Sequence, residues 1–325
     1  MSAPGPAPVA LATWPTPAEP APRLAEAVGL APADLVLKRD DLSGLGGGGN
    51  KVRKLEHLVA RAVADGATTL VTTGAPQSNH ARLTAAAAAR LGLEAVLVLP
   101  GAPGPVRGNL LLDELLGARI AWAGDVDAAG LDAAAAAAAD DVRARGGVPV
   151  VLPFGGSDAV GARGYVTAGE ELREQVPDLA HVVVALGSGG TMAGLVAALG
   201  ADRVLGVDTG ATPDGRARVA RLVDELVGDG HVLPGDGGAP PAASLRIRDD
   251  QVGDGYATVT PGARSALGLA ARTAGVVLDP IYTARALAGL VAAVADGDVR
   301  PGQRTVFLHS GGLPGLFAHD LDAVR

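Results

Sequence analysis

Six apolar runs punctuate the chain: TLVTTG (Thr69–Gly74), EAVLVLP (Glu94–Pro100), VPVVLP (Val148–Pro153), HVVVALG (His181–Gly187), RVLGVDT (Arg203–Thr209) and TVFLHSGG (Thr305–Gly312). They are rich in aliphatic residues and lack a clean polar alternation, the pattern of strands buried on both faces. Alanine-rich stretches between them read as helices over Lys51–Asp65, Asn79–Gly92, Leu131–Arg145, Thr191–Leu199 and Thr283–Ala295. The helix propensity of alanine accounts for these patches without implying chemistry. Strand and helix in alternation predict an α/β protein with parallel-rich twisted sheets flanked by helices. The glycine-rich PFGGSDAVGARGY (Pro153–Tyr165) reads as a crossing between two domains, and GDGHVLPGDGGAPPAASLR (Gly228–Arg246) as a surface excursion.

Composition narrows the class. A chain of 325 residues, 48% hydrophobic and 19% charged, is globular and long enough for two domains. Its net charge of −8 and 2% aromatics argue against a nucleic-acid partner. Without cysteine there are no disulfides, thiol nucleophiles or thiolate metal sites. The first 22 residues carry no Lys or Arg and no apolar core of a signal peptide. No apolar run is long enough to span a membrane, so the expectation is a soluble cytoplasmic protein. Six scattered histidines form no close pair, and no metal site is expected.

Candidate chemistry begins with lysine. Only three of the 27 basic residues are lysines, and all three flank one glycine loop: Lys38, Lys51 and Lys54. Lysine, unlike arginine, can lose its proton when desolvated and form a Schiff base. Lys38 reads as a solvated charge, whereas Lys51 directly follows GGGGN and is the candidate amine. In HVVVALGSGGTMAGL a strand, a glycine turn and a helix start follow one another, a backbone cradle for phosphate built on Gly187, Ser188, Gly189, Gly190 and Thr191. Asp208 lies near the spacing of a ribose-binding acid, but the third glycine of a dinucleotide fingerprint would fall on Met192. The Gly44–Gly49 run likewise lacks the acid, and Asn50 breaks a P-loop pattern. Ser78, Asn79 and His80 sit at a predicted helix start, suited to a carboxylate. Tyr256 and Tyr282, two of only three tyrosines, are candidate partners for a ring ligand, and Ser310 ends the last strand.

In chain order, KRDDLSGLGGGGNKVRKLEHL, TGAPQSNHARLTAAAAA, GGSDAVGARGY, GSGGTMAGL, VVLDPIYTARALAGL and FLHSGGLPGLFA resemble the D-cysteine desulfhydrase and 1-aminocyclopropane-1-carboxylate deaminase family. These are pyridoxal-5′-phosphate enzymes of the tryptophan-synthase β-like fold, fold type II. The resemblance implies a homodimer whose large domain, residues 1–52 and 164–325, holds an inserted small domain, 53–163. It implies that Lys51 carries the cofactor and moves the Cα proton, that Lys54 and Gly187 to Thr191 hold phosphate, and that Asn79 bonds the ring's hydroxyl oxygen. Ser78, Asn79 and His80 then receive the substrate carboxylate, Tyr282 stacks on the ring, Tyr256 is a second active-site tyrosine, and Ser78 and Tyr282 are the expected acid–base partners beside Lys51.

Ring-opening members of the family place Glu and Leu where this chain has Thr283 and Ser310. A hydroxyl near the ring nitrogen makes a weaker electron sink than a carboxylate does, which suits β-elimination from a small amino acid. Ring opening of the cyclopropane acid and loss of sulfite from L-cysteate stay open as alternatives. So do a nicotinamide oxidoreductase using Gly187, Gly189 and Asp208, and a catalytically silent homologue. The substrate side departs from the family at Leu83 and at Ala257, Thr258, Val259 and Thr260.

Overall fold

The structure is a computed structural model, and it describes residues 5–231, 233–234 and 238–320. Among the described residues, ten strands form two sheets. The six-stranded sheet is built from β1 (Ala18–Pro20), β2 (Leu35–Lys38), β7 (Leu179–Leu186), β8 (Val204–Asp208), β9 (Arg246–Arg248) and β10 (Arg304–Leu308), in the order β1-β2-β10-β7-β8-β9. Only the β1–β2 pair is antiparallel. The four-stranded sheet is wholly parallel, in the order β5-β4-β3-β6, with β3 (Thr69–Thr73), β4 (Glu94–Leu99), β5 (Arg119–Trp122) and β6 (Pro149–Val151).

Eleven helices are described: α1 (Pro22–Val28), α2 (Lys51–Ala64), α3 (Asn79–Leu91), α4 (Asn109–Leu115), α5 (Ala128–Ala144), α6 (Ala159–Gln175), α7 (Gly190–Leu199), α8 (Gly215–Gly228), α9 (Pro261–Ala274), α10 (Thr283–Ala295) and α11 (Leu313–Leu316). No described helix is long and apolar enough to cross a membrane.

Alternate side chains of each strand enter different cores, which is why the strands read as unbroken apolar runs. Val36, Val182, Val184 and Val306 pack on one face of the larger sheet, and Leu35, Leu37, Val183 and Phe307 on the other. Leu70, Leu97 and Leu99 point to one side of the smaller sheet, and Val71, Val96 and Val98 to the opposite side.

Two expectations change. The stretch 153–165 is not loop throughout: α6 starts at Ala159, with the Asp158 carboxylate capping Gly161 N at 2.8 Å. Its glycines serve close helix packing. A Cβ on Gly164 would lie 2.2 Å from Arg53 O on α2, and one on Gly194 of α7 would lie 2.3 Å from Ala162 O on α6. Lys38 is not solvated but 0% exposed. Its ammonium donates to Thr16 O at 2.9 Å, Glu171 Oε2 at 2.8 Å and Gln175 Oε1 at 2.7 Å. Arg53 completes that cluster through Asp40 Oδ2 at 2.9 Å and Glu171 Oε1 at 2.8 Å. The Gly228–Arg246 excursion lies partly outside the described residues; its far end forms a 3-10 turn at Ala242–Ser244 before β9.

Candidate functional site

The C-terminal ends of parallel strands leave backbone groups and loops free for ligands. Here loops following β3, β7 and β10, with the start of α2, close around one cavity. Lys51, Ser78, Asn79, His80, Gly187, Ser188, Gly189, Thr191, Tyr256, Tyr282 and Ser310 all line it. Lys54, Gly190 and Thr283 are outside this lining.

Lys51 opens α2, and its Nζ donates to Asn50 Oδ1 at 3.2 Å. Loss of bulk water lowers the amine to about 8, the charge of Asp279 opposing and that of Arg82 assisting. One turn on, Lys54 is buried and donates to Ser157 Oγ at 2.9 Å and Gly155 O at 3.3 Å. Burial, then the charges of Lys51 and Arg218, push its amine well below the usual range. Arg218 on α8 reaches Ser188 O at 2.8 Å. Lys54 and Arg218 thus flank the first turn of α7, where Gly190 N bonds Ser157 Oγ at 3.2 Å and Ser157 Oγ meets Ser188 Oγ at 2.7 Å. The amides of this turn add positive potential.

The opposite wall starts α3. Ser78 caps the helix, its Oγ accepting from Ala81 N at 3.1 Å, so its proton remains available. His80 is buried with neither ring nitrogen hydrogen-bonded. Burial and the two nearby lysines lower its pKa far enough to keep the ring neutral.

Tyr256 and Tyr282 share a hydrogen bond between their hydroxyls, with ring centroids 5.9 Å apart and planes at 64°. Burial raises both phenols, which stay protonated. Asp279 sets the Tyr282 backbone: Oδ2 accepts from Ile281 N at 3.0 Å and Tyr282 N at 2.9 Å. Its Oδ1 takes Thr283 N at 2.9 Å and Thr283 Oγ1 at 2.7 Å. Thr283 therefore turns its hydroxyl into Asp279 and away from the cavity, because a buried carboxylate binds the nearest donors. Arg285 anchors the loop of Tyr256, donating to Gly255 O at 2.8 Å and to Thr258 O, while Nη1 holds Thr209 O at 2.6 Å.

Asn50, Asp279, Arg218 and Arg285 escaped sequence reasoning. Only Asp279 left a local signal, since Asp before Pro marks a turn whose carboxylate caps the following amides. Asp208 does not line the cavity: its Oδ1 accepts from Gly210 N at 2.8 Å in a local turn.

A family model described as "Pyridoxal-phosphate dependent enzyme" matches residues 9–311. The chain belongs to the pyridoxal-phosphate-dependent enzymes. It is 38% identical over 315 residues to D-cysteine desulfhydrase of Salmonella schwarzengrund, covering 94% of each chain. The same figures hold for D-cysteine desulfhydrase of Salmonella paratyphi B. A crystal structure of an ACC deaminase homologue superposes with a TM-score of 0.85 at 33% identity, over 97% of this chain and 94% of that one. Maize serine racemase, at 20% identity and a TM-score of 0.62 over 94% and 89% of the two chains, shares the fold. The architecture is the α/β, tryptophan-synthase β-like fold of these pyridoxal-phosphate enzymes.

The residues present fit pyridoxal phosphate. The α7 turn is a cradle kept open by missing side chains: a Cβ on Gly190 would lie 2.7 Å from Ser157 Oγ and 3.1 Å from Lys54 Nζ. One on Gly187 would lie 3.1 Å from the Tyr282 ring, and one on Gly155 2.2 Å from Ser188 Oγ. Lys54 and Arg218 spend their hydrogen bonds on neutral groups, leaving both bases free to pair with a phosphate dianion.

Proposed function

We propose that this pyridoxal-phosphate lyase eliminates the β-substituent of a small amino acid, with D-cysteine as substrate, giving pyruvate, ammonia and sulfide. The observation that carries this reading is an amine lowered to about 8, Lys51, in one cavity with a paired tyrosine hydroxyl donor and the start of α3. The printed activity of the Salmonella relatives supports the substrate.

In this reading Lys54, Arg218 and the amides of Gly187 to Thr191 would hold the phosphate, and the Tyr282 ring would face the cofactor ring. The N-terminus of α3, with Ser78, Asn79 and His80, receives the substrate carboxylate. When bound, pyridoxal phosphate supplies an electron sink for the carbon bearing the substrate amine. Lys51, neutral above about pH 8, takes the Cα proton. The Tyr256–Tyr282 pair delivers a proton to sulfur as the carbon–sulfur bond breaks. The sulfur leaves with the bonding pair, and water converts the remaining enamine to pyruvate and ammonia.

Two observations separate this from the neighbouring chemistries. The described lining contains no guanidinium, so the sulfonate of L-cysteate lacks a partner that a thiol does not need. The ring-opening reaction of ACC deaminases is less suited, because no carboxylate lines the cavity to hold a ring nitrogen protonated; Ser310 lines it instead. The same reading divides the chain into a large domain, 1–52 and 164–325, and a small inserted domain, 53–163, that close on the cavity. It takes the enzyme as a cytoplasmic homodimer, on the family resemblance.

A side-by-side assay of D-cysteine, L-cysteate, β-chloro-D-alanine and 1-aminocyclopropane-1-carboxylate tests the assignment. Sulfide and pyruvate from D-cysteine are the expected main products. 2-Oxobutanoate from the cyclopropane acid as the fastest reaction would overturn it.

A further inference from the structure

We propose that Arg82 and Asn109 act as a positioning relay that fixes the polarity of the Asn79 amide, presenting its NH2 rather than its carbonyl to a ligand oxygen in the cavity. The inference rests on the pyridoxal-phosphate assignment and not on the choice of D-cysteine.

The logic starts from a group that can only donate. Arg82 on α3 is buried, and its guanidinium is pinned by the carbonyls of the glycine loop before Lys51, Gly46 O and Gly48 O, the latter at 3.1 Å. Its Nε then donates to Asn109 Oδ1 at 2.7 Å. This settles the orientation of the Asn109 amide, because the oxygen must face the guanidinium. The Asn109 NH2 must face the other way. It donates to Gln77 O, an acceptor-only carbonyl, at 2.8 Å and to Asn79 Oδ1 at 3.1 Å. Arg82 Nη2 adds a longer contact to the same Asn79 oxygen at 3.4 Å. The Asn79 oxygen is therefore committed to the protein. Its Nδ2 has no protein partner among the described residues, and Asn79 lines the cavity.

Asn109 is also buried and rigidly seated, since Gln77 Oε1 accepts from its backbone N at 2.8 Å. The relay ties three elements together: the loop that leads into Lys51, the start of α3 and the start of α4. Its product is a donor of fixed direction, suited to the ionised hydroxyl oxygen that the pyridoxal ring carries. Such a donor favours the oxyanion and lowers the pH at which the bound cofactor changes its visible absorption.

The test reads that titration midpoint, together with the cofactor dissociation constant measured by fluorescence quenching of the cofactor-free protein. Asn109→Asp keeps an acceptor for Arg82 but cannot donate to Asn79, so the Asn79 amide turns its carbonyl to the cavity. The midpoint is expected to rise by about one pH unit and cofactor affinity to fall about tenfold. Asn79→Asp is a second, isosteric variant. It leaves one oxygen for Asn109 and Arg82 and replaces only the donor, so it should fold and raise the midpoint by at least as much. A wild-type midpoint in Asn79→Asp would show that no donor faces the ligand and overturn the proposal. A shift in Asn79→Asp with none in a folded Asn109→Asp would overturn the relay. Absence of any visible band in the loaded wild-type protein would instead sink the cofactor assignment, and the relay with it.

Discussion

Helix α2 carries two buried polar clusters that differ in one respect. On one side Arg53 meets Asp40 and Glu171, and Lys38 meets Glu171, so two cations face two carboxylates. Tyr165 and Thr16 complete the acceptor capacity of Asp40 at 2.5 Å and 2.7 Å. On the other side Lys51 and Lys54, with Arg218, bond only neutral partners. Desolvation lowers the lysine amines in both places, but carboxylates oppose it strongly at Lys38, whereas like charges reinforce it at Lys54. A closed ledger of charge marks structure; an open one marks the place of a ligand.

Five experiments press on that contrast. Lys51→Ala should lower elimination about a thousandfold or more and abolish the visible band of the loaded enzyme. In the wild type, cofactor loading should speed up as pH rises through about 8, where Lys51 becomes the neutral nucleophile. Activity within tenfold of wild type would break the comparison at its open end.

Arg53→Met should strip the closed cluster of a cation and leave the buried Asp40 carboxylate without its ion-pair partner. Breaking a buried pair costs about 3–5 kcal/mol, so denaturant unfolding should show that loss while the absorption of loaded protein stays unchanged. Lys54→Met should act the other way. Cofactor-free stability should hold or rise, because a poorly solvated amine is removed. Affinity for pyridoxal phosphate should fall about 10–100-fold while affinity for phosphate-free pyridoxal stays the same. Equal losses for both ligands would show that Lys54 does not serve the phosphate.

The smallest effect belongs to Asp113, a buried carboxylate near Arg82 with both oxygens unpaired. Burial raises it to about 7. The folded state then keeps a proton that the unfolded chain releases above about pH 4, so stability from this group falls as pH rises from about 4 to 7. Asp113→Asn should flatten the decline in melting temperature between pH 5 and pH 8. An unchanged slope would mean that the open carboxylate is ionised and compensated.

Legibility followed sequence distance. Strand runs such as Thr69–Thr73 and helix starts such as Lys51 and Asn79 were readable because apolar patterning and capping act within a few residues. Ser78 declared its capping role in the same way. Lys38 was misread because its carboxylate, Glu171, lies 133 residues away. Helix α6 was hidden by glycines that look like loop residues until the helices they touch are known. Thr283 sits beside Tyr282 in sequence, yet a local carboxylate captures its hydroxyl. Asn109 and Arg285 carry no motif at all; their roles exist only in the carbonyls they meet across the fold.

The glycine contacts between α2, α6 and α7 bear on how this enzyme can be changed. At Gly164 and Gly194 the neighbouring backbone occupies the space of the smallest possible side chain. Whatever new substrate a mutant library is screened for, survivors should retain glycine at both positions, while the cavity-lining Ala75 or Ala211 can vary. Evolvability in this scaffold is thus partitioned: the spacing of three helices is frozen, and novelty is confined to the walls that face the substrate.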